Sequence, residues 1–351
     1  MIHHRTPEFS SELAVILELL PPLFGTREPV LPIHATGRGA LEATIANLFS
    51  PGDAIAVCCN GRFGGLWARI AESLGVVVHR IATDWEHDVD PQEVDRTLTE
   101  HPHVRAVALP HSDTSTGVAN DIRAVAVVAR AHDALVLVDG VSSIGGMPFE
   151  FDQWQVDVAV TASQKCLMSS PGLSFAVVSE RGRYACRTAR LPHSYWDFED
   201  IQREVTKAKP ETPGTPPVQL VLQVAEALRM IHAEGLNGVY ARHDTMARLV
   251  RAGAASLGLT LQCANLKCRS TTVTGISLPP DLPPDRVRQE LKARGILTAA
   301  ALEHYRDTAF RIGHMGDIRP NDVAATMDAL GAVLQDLRAS SAFVRRGQPL
   351  T

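Results

Sequence analysis

Short apolar runs rich in Val, Ile and Ala recur through the first two thirds of the chain, and segments with helical spacing separate them. Because these runs are continuous rather than alternating, they predict strands covered on both faces, which is typical of a parallel sheet. The alternation of strand and helix favours an α/β fold. The predicted strands are Ala54–Cys59, Val76–Ile81, Val104–Leu109, Ala134–Val138, Val156–Thr161 and Ser174–Val178, and the predicted helices include Leu41–Phe49, Gly65–Leu74 and Ile122–His132.

The pattern changes at residues 207–217, where prolines are too frequent for a helix or a central strand. The elements predicted after this break are a helix over about Gln219–Ala233, a helix over Tyr240–Leu257, strands at Thr272–Ser277 and Ile296–Ala300, and a helix over about Asn321–Leu337. This second pattern is typical of a small α+β domain. We therefore predict a large domain over residues 1–234, a smaller C-terminal domain over 235–340 and a tail over 341–351.

Composition and charge narrow the class of protein. The chain has 351 residues, of which 45% are hydrophobic and 21% charged, as in ordinary soluble proteins large enough for two domains. Its net charge of −5, without a basic block, gives no reason to expect a nucleic acid or membrane partner. No apolar run is long enough to span a bilayer, and no secretory signal is evident. Because the six cysteines lack CxxC spacing, we expect free thiols, a cytoplasmic location and no metal site.

Two side chains of opposite charge come at or after the ends of predicted buried strands. Asp139 directly follows one apolar run, and Lys165 comes shortly after another. Open parallel sheets bind ligands beyond the carboxyl ends of their strands, so we expect both side chains at one site. A carboxylate can pair with a protonated ring nitrogen and an amine can form an imine with an aldehyde, as pyridoxal 5'-phosphate (PLP) requires. The two residues alone leave open a turn-capping Asp139 and a solvated Lys165.

Three further segments are candidates for the same site. Small residues at Thr36–Gly39 precede a helix, where backbone N–H groups can bind an anion. Phe63 follows a strand and can either stack on a flat cofactor ring or belong to the core. The polar run His111–Gly117 suits hydrogen bonds to a ligand or entry into a helix. Because the first segment is not GxGxxG and no strong strand precedes it, a nicotinamide site is excluded.

These segments and others carry a resemblance to a known family. The matching motifs occur in order at residues 36–43, 60–64, 115–117, 138–146, 163–165, 171–172, 212–216 and 310–316. With them the chain resembles the class V, fold-type I PLP-dependent aminotransferases, closest to the alanine–glyoxylate and serine–pyruvate group, over almost its whole length. The resemblance implies a large domain with a mostly parallel central sheet and a smaller C-terminal α+β domain.

The resemblance also implies roles for individual residues. Lys165 matches the Schiff-base lysine, Asp139 the partner of the pyridinium nitrogen, and Arg311 the arginine that binds the substrate carboxylate. The other matched positions contact the cofactor: Phe63 on the ring face, Thr114 near the ring, and Gln164 with Thr36, Gly37 and Arg38 at the phosphate. Thr215, and less surely Thr212, match a loop that the partner subunit of a homodimer contributes to the phosphate site.

The implied activity is ping-pong transamination between a small amino acid (alanine, serine or glycine) and a small 2-oxo acid (glyoxylate or pyruvate), with Lys165 as general base. Alternatives within the class are a desulfurase-like lyase and an aminotransferase acting on an aminophosphonate or on pyridoxamine. Desulfurases typically carry a histidine before the lysine, where this chain has Gln164. A PLP-binding protein without activity is the alternative from another class.

The chain departs from the family pattern at two places. Relatives usually carry a Pro-Gly-Pro-containing segment, which lines the substrate pocket, ahead of the stretch that matches residues 4–9 here. We therefore expect either that the true start lies further upstream or that the protein binds substrate differently, weakly or not at all. Arg38 stands where relatives often carry other residues, so we expect a more positive phosphate turn.

Overall fold

The computed structural model describes residues 2–346, with side chains as far as Ala339. The strands are β1 (Val30–Ile33), β2 (Ala54–Cys59), β3 (Val77–Ala82), β4 (Val104–Pro110), β5 (Ser112–Asp113), β6 (Val118–Ala119), β7 (Leu135–Asp139), β8 (Val158–Ala162), β9 (Ser174–Val178), β10 (Thr260–Leu261), β11 (Val273–Ser277), β12 (Ala299–Ala300) and β13 (Ala309–Gly313). The helices are α1 (Pro7–Leu19), α2 (Pro21–Phe24), α3 (Gly37–Leu48), α4 (Arg62–Ser73), α5 (Pro91–Glu100), α6 (Ile122–Ala131), α7 (Glu180–Thr188), α8 (Phe198–Val205), α9 (Val218–Glu234), α10 (Leu236–Ser256), α11 (Pro284–Ala293) and α12 (Pro320–Arg346), and two 3-10 turns lie at Leu266–Cys268 and Glu303–Tyr305.

A seven-stranded sheet in the order β1-β9-β8-β7-β4-β2-β3 forms the centre of the larger part. Strands β8, β7, β4, β2 and β3 run parallel, whereas β9 and β1 pair antiparallel at one side. Apolar side chains of α1, α5, α6 and α9 pack on one face of the sheet, and those of α3, α4, α7 and α8 pack on the other. The predicted α/β fold with a mostly parallel sheet is confirmed.

The edge strand β1 was not among the predicted strands. It has only four residues, one of them Pro32, and it pairs with β9 along one side. Proline removes a backbone donor and is tolerated in an edge strand, so the sequence pattern hides this element. A strand thus does precede Thr36, since β1 ends three residues before it, but it is short and carries a proline, as expected where no strong strand was predicted.

The smaller sheet is antiparallel, in the order β10-β11-β13-β12, and packs with α10, α11 and α12 around a separate apolar core. The predicted strand Ile296–Ala300 shrinks to β12, because Gly295 (φ 81°) ends α11 and the Ile296 N–H bonds back to Leu291. Helix α12 passes the predicted end at Leu337, since the next helix breaker is Gly347. Part of the predicted tail is thus helical, and residues 347–351 lie outside the described residues.

The topology brings several loops to the carboxyl edge of the large sheet. Asp139 ends β7 opposite Pro110 on β4 and Val160 on β8. No helix among residues 2–346 is both long enough and apolar enough to cross a membrane. The predicted boundary near residue 234 falls between α9 and α10 and stays a prediction.

Candidate active site

Asp139 is a buried carboxylate at the carboxyl end of β7. The Val141 N–H donates to its Oδ1 atom at 2.9 Å, and this is the one hydrogen bond that the carboxylate receives within the described part of the chain. Burial raises the pKa of Asp139 to about 6, and the nearby negative charge of Asp113 adds to that shift. A cationic group beside Asp139 would restore the charged form.

Lys165 lies half-buried in the turn that follows β8. Strand β8 is the neighbour of β7, the strand that ends at Asp139. Burial lowers the pKa of its amine, and the positive charge of the Arg311 guanidinium lowers that pKa further. Asp139 opposes the shift. A lysine that gives up its proton more easily than usual is suited to act as nucleophile and as base.

Arg311 comes from the small sheet and reaches the loops of the large one. Its Nε donates to the Ala300 carbonyl at 2.9 Å and its Nη1 to the Thr114 carbonyl at 2.5 Å. The side chain is only 9% exposed, and burial lowers its pKa while the Asp113 carboxylate favours the charged form. Among residues 2–339, Nη2 has no hydrogen-bond partner, so the planar guanidinium retains donors for a carboxylate.

Asp113 is a site residue that the sequence analysis did not single out within its polar run. Its buried carboxylate accepts hydrogen bonds from the Phe63 N–H and the Ser115 N–H, both at 2.9 Å, and from the Ser115 hydroxyl. A Cβ atom on Gly61 would lie 2.2 Å from this carboxylate, so only glycine fits there. Asp113 therefore fixes the positions of Phe63 and Thr114 relative to each other.

A second unpredicted residue, Ser142, joins three segments of the site. Thr114 Oγ1 donates to Ser142 Oγ at 2.9 Å, and Ser142 Oγ donates to the Ser112 carbonyl at 2.8 Å. Thr272 of the small part donates its hydroxyl proton to the Ser142 carbonyl at 2.7 Å. The hydroxyl of Thr114 is thus held near the end of β7. Nothing in the sequence pattern marks such contacts between distant loops.

The turn at residues 36–38 opens α3. Thr36 is the N-cap residue, but its side chain makes no capping hydrogen bond, so the first N–H groups of the helix are not capped by it. A Cβ atom on Gly37 would lie 2.7 Å from Cγ2 of Val141, two residues after Asp139, so the turn packs tightly against the site. Arg38 is exposed. The Oε1 atom of Gln164 is buried without a hydrogen-bond partner within the described residues.

Within the described part of the chain, neither threonine of the proline-rich loop hydrogen-bonds to a residue of this site. Thr215 is exposed, whereas Thr212 is buried and donates its hydroxyl proton to the Gly214 carbonyl at 2.7 Å within its own loop. Pro213 and Gly214 line a cavity of about 240 Å³ with His34, close to the turn at residues 36–38.

Cys166, the neighbour of Lys165, is packed into the wall of the site. Its thiol is buried and points at the Ser142 carbonyl at 3.7 Å. Burial raises its pKa to about 12, so the thiolate is scarce at neutral pH. Among the described side chains, no group of three or more His, Cys, Asp or Glu residues is arranged to hold a metal ion.

Comparison with known proteins shows which family has this arrangement of residues. The model of the family described as aminotransferase class-V matches residues 1–301. The chain belongs to that family. A protein named the small subunit of a soluble hydrogenase, from Synechococcus sp., is 37% identical, covering 96% of this chain and 88% of its own. The L-aspartate–glyoxylate aminotransferase of Paracoccus denitrificans is 35% identical, covering 96% and 86%.

The solved structures give the same assignment. An alanine–glyoxylate aminotransferase from Nostoc sp. superposes with a TM-score of 0.90 and 30% identity, covering 95% of this chain and 89% of the other. This class-V aminotransferase therefore has the fold-type I architecture and is a PLP-dependent transaminase, as the sequence analysis predicted. The residues present fit PLP: within the described part of the chain they include a lysine with lowered pKa, a buried carboxylate with one hydrogen-bond donor, a helix start without a side-chain cap and a buried amide oxygen without a partner.

Proposed function

We propose that this class-V aminotransferase transfers an amino group between a small amino acid of the alanine, serine or glycine type and a small 2-oxo acid, glyoxylate or pyruvate. The observation that carries the proposal is the placement of Arg311 near Lys165, close enough for its charge to lower the pKa of the amine. A substrate carboxylate on Arg311 brings the substrate near a base. The aspartate–glyoxylate and alanine–glyoxylate relatives both carry glyoxylate in their names.

Bound PLP supplies an electron-accepting ring and an aldehyde that bonds to a lysine. Asp139 is proposed to pair with the protonated ring nitrogen, and Phe63 to stack on the ring face. Thr114 lies near the end of β7, where its hydroxyl can hydrogen-bond the ring. The phosphate is proposed to bind the uncapped N–H groups at residues 36–38 together with Gln164.

Lys165 is proposed to hold the cofactor covalently and, once released by substrate, to move the α-proton. Burial and Arg311 lower its pKa, so the freed amine is available in its neutral, basic form. Arg311 fixes the substrate carboxylate and thereby orients the α-carbon. The oxo acid formed from the first substrate leaves before the second substrate binds, which gives ping-pong kinetics.

The assembly is proposed to be a homodimer in which the partner contributes Thr215, and less surely Thr212, to the phosphate site. Exposure of Thr215 supports this, since its hydroxyl is available to a second chain. The domain boundaries near residues 234 and 340 remain part of the proposal. Six free cysteines support a reducing compartment such as the cytoplasm.

The alternative reaction of a desulfurase is not supported by the site. That chemistry requires a nucleophilic thiolate within reach of the substrate, but Cys166 is buried with a pKa raised to about 12. A structure of a cysteine desulfurase from Thermococcus onnurineus shares the fold at only 17% identity.

The test is the visible absorption of the purified holoenzyme before and after addition of L-alanine. We expect the band of the lysine-bound cofactor to disappear with alanine and to return with glyoxylate, and Lys165→Ala to show neither change. A bound cofactor whose spectrum ignores alanine, serine and glycine would contradict the proposed substrates. A protein that binds no PLP would contradict the assignment altogether.

A further inference from the structure

Arg62 is a charged residue beside the site for which the proposed reaction has no use. It opens α4 directly after Gly61, and its backbone N–H donates to Ser115 Oγ at 3.0 Å. Its Nε lies 4.0 Å from Oε1 of Glu303, with the two side chains 42% and 51% exposed. Among residues 2–339, the Arg62 guanidinium has no hydrogen-bond partner. Its one contact with opposite charge is therefore long and weak.

Glu303 opens the 3-10 turn that follows β12, and β12 pairs with β13, the strand that carries Arg311. Glu303 lies three residues after Ala300, whose carbonyl accepts from Arg311 Nε. Its backbone has φ 52°, in the left-handed region that a glutamate rarely adopts. Strained backbone of this kind is concentrated at ligand sites. The contact between Arg62 and Glu303 therefore spans from the large part to the small part beside Arg311.

The 3-10 turn that begins at Glu303 makes other contacts with the larger part of the molecule. The Tyr305 hydroxyl donates to Glu86 Oε1 at 3.1 Å, and the His304 ring lies 4.6 Å from that of Trp85. Because these contacts already connect the two parts, the long contact between Arg62 and Glu303 is not needed to hold them together.

The charges around Arg311 are unbalanced. The Arg62 and Arg288 guanidinium groups are both near enough to influence Arg311, and Lys165 adds a further basic group. Arg288 is already paired with Asp285 at 2.9 Å, whereas Arg62 has only the long contact with Glu303 among residues 2–339. Asp113 is the buried counter-charge, but its carboxylate already accepts from the Phe63 N–H and from Ser115. A substrate with one carboxylate neutralises Arg311 and leaves Arg62 with Glu303 alone.

We propose that Arg62 is a specificity-determining residue that binds the second carboxylate of a dicarboxylic amino donor such as L-aspartate, in the place that Glu303 holds when no such donor is bound. The proposal rests on the proposed function and extends its donors to acidic amino acids. A substrate carboxylate can meet the planar guanidinium with two parallel hydrogen bonds, which the 4.0 Å contact does not provide. Glu303, already half-exposed, then turns to solvent.

The test compares the holoenzyme with Arg62→Ala, Glu303→Gln and the control Tyr305→Phe, using kcat/KM for L-aspartate and L-alanine with glyoxylate as acceptor. We expect Arg62→Ala to lower kcat/KM for aspartate by roughly ten- to hundredfold and to change alanine less than about twofold. Glu303→Gln should raise the aspartate value, because it removes the competing carboxylate. Tyr305→Phe, which loses the hydrogen bond from the same 3-10 turn to Glu86, should affect both donors alike.

Equal losses for both donors in Arg62→Ala, or a lower aspartate value in Glu303→Gln, would overturn the proposal. A binding measurement separates it from the proposed function, because it needs no turnover. We expect succinate to bind the holoenzyme more tightly than propionate by calorimetry, and Arg62→Ala to remove that preference. If succinate and propionate bind equally well to the unmodified holoenzyme, Arg62 does not select dicarboxylates, whatever the enzyme transaminates.

Discussion

Two buried aspartates lie at opposite ends of the same pair of parallel strands. Asp157 precedes β8 at the amino edge of the sheet, is 1% exposed, and accepts from the Val136 N–H and Ser179 Oγ, each at 2.9 Å. Arg181 Nη1 lies 3.3 Å and Arg130 Nη1 3.7 Å from its oxygens. The carboxylate of Asp139, at the carboxyl edge and 6% exposed, receives one hydrogen bond from the described part of the chain.

The difference is what we expect if Asp157 is a structural carboxylate and Asp139 is kept for a ligand. Burial raises the pKa of both, but two arginines and two uncharged donors oppose that shift at Asp157. At Asp139 the opposing groups are one backbone N–H and Lys165, and Asp113 adds repulsion. An incompletely paired buried carboxylate destabilises the cofactor-free fold and creates a strong site for a cation. The protonated ring of PLP is such a cation.

The largest expected effect is on activity. In the proposed arrangement Asp139→Asn removes the charge that stabilises the ring nitrogen, so we expect kcat of the PLP-saturated enzyme to fall by about 10²- to 10³-fold. Asp157→Asn, the matched change at the other end of the strands, should leave kcat per folded holoenzyme within about twofold. Stopped-flow single turnovers with L-alanine measure both. Similar losses of kcat in the two variants would contradict the different roles assigned to Asp139 and Asp157.

Stability should respond in the opposite order. Asp157→Asn weakens charge-assisted bonds to Arg181 and Arg130, so we expect the free energy of unfolding to fall by about 1.5 to 3 kcal/mol. Urea unfolding of the apoprotein at pH 7 checks this. An unchanged midpoint would show that Asp157 is not the structural member of the pair.

Asp139 should destabilise the apoprotein in a pH-dependent way. Its folded pKa of about 6 exceeds its ordinary value of 3.8, so the folded chain binds more protons than the unfolded chain between these values, and stability falls as pH rises through that window. Asp139→Asn removes this loss and should be more stable than the unmodified apoprotein at pH 7, by roughly 1 to 3 kcal/mol.

That difference should shrink toward zero as pH falls to 4. Buried histidines such as His111, whose pKa burial lowers to about 4, affect both proteins equally and cancel in the comparison. Unfolding curves at several pH values between 4 and 7 give the profile. A difference that stays constant across this range would contradict an elevated pKa at Asp139.

The smallest expected effect concerns the phosphate turn next to Asp139. Gly37→Ala places a Cβ atom 2.7 Å from Val141 Cγ2 and must shift the turn, so we expect PLP to bind roughly tenfold more weakly. Gly65→Ala in α4 is the control, because its Cβ meets only the end of Arg69 at 3.6 Å. Fluorescence titration of the apoproteins with PLP measures both; equal affinities would argue against the turn as the phosphate site.

Much of the fold follows from the sequence because parallel strands buried on both faces leave continuous apolar runs. β2 and β9 begin and end as predicted, and the other predicted strands of the large sheet shift by at most two residues. Strand β1 was missed because it contains a proline. Strand β12 was predicted too long, because the turn that ends α11 takes up most of the predicted segment. In both cases a turn or proline in the segment makes the pattern of apolar residues a poor guide to the strand's length.

The charged residues of the candidate site were singled out from the sequence, but the residues whose hydrogen bonds join its loops were not. Asp139 and Lys165 stand next to apolar runs, so the sequence marks them. The position of Asp113 depends on hydrogen bonds from Phe63, fifty residues away, and Ser142 depends on Thr272. Such contacts form only when the chain folds, and no periodicity in one sequence reports them. The glycine at position 61, where a Cβ atom would collide with the Asp113 carboxylate, is the one local sign of these contacts in the sequence.

The most direct test of the account is the dissociation constant of PLP at pH 7 for the apoprotein and for its Asp139→Asn and Asp157→Asn variants. If Asp139 is kept incompletely paired for the cationic ring, Asp139→Asn will bind PLP at least about tenfold more weakly, and Asp157→Asn will bind it like the unmodified protein. Equal affinity in all three proteins would contradict the central claim. The incompletely paired carboxylate of Asp139 would then have to be explained without the cofactor.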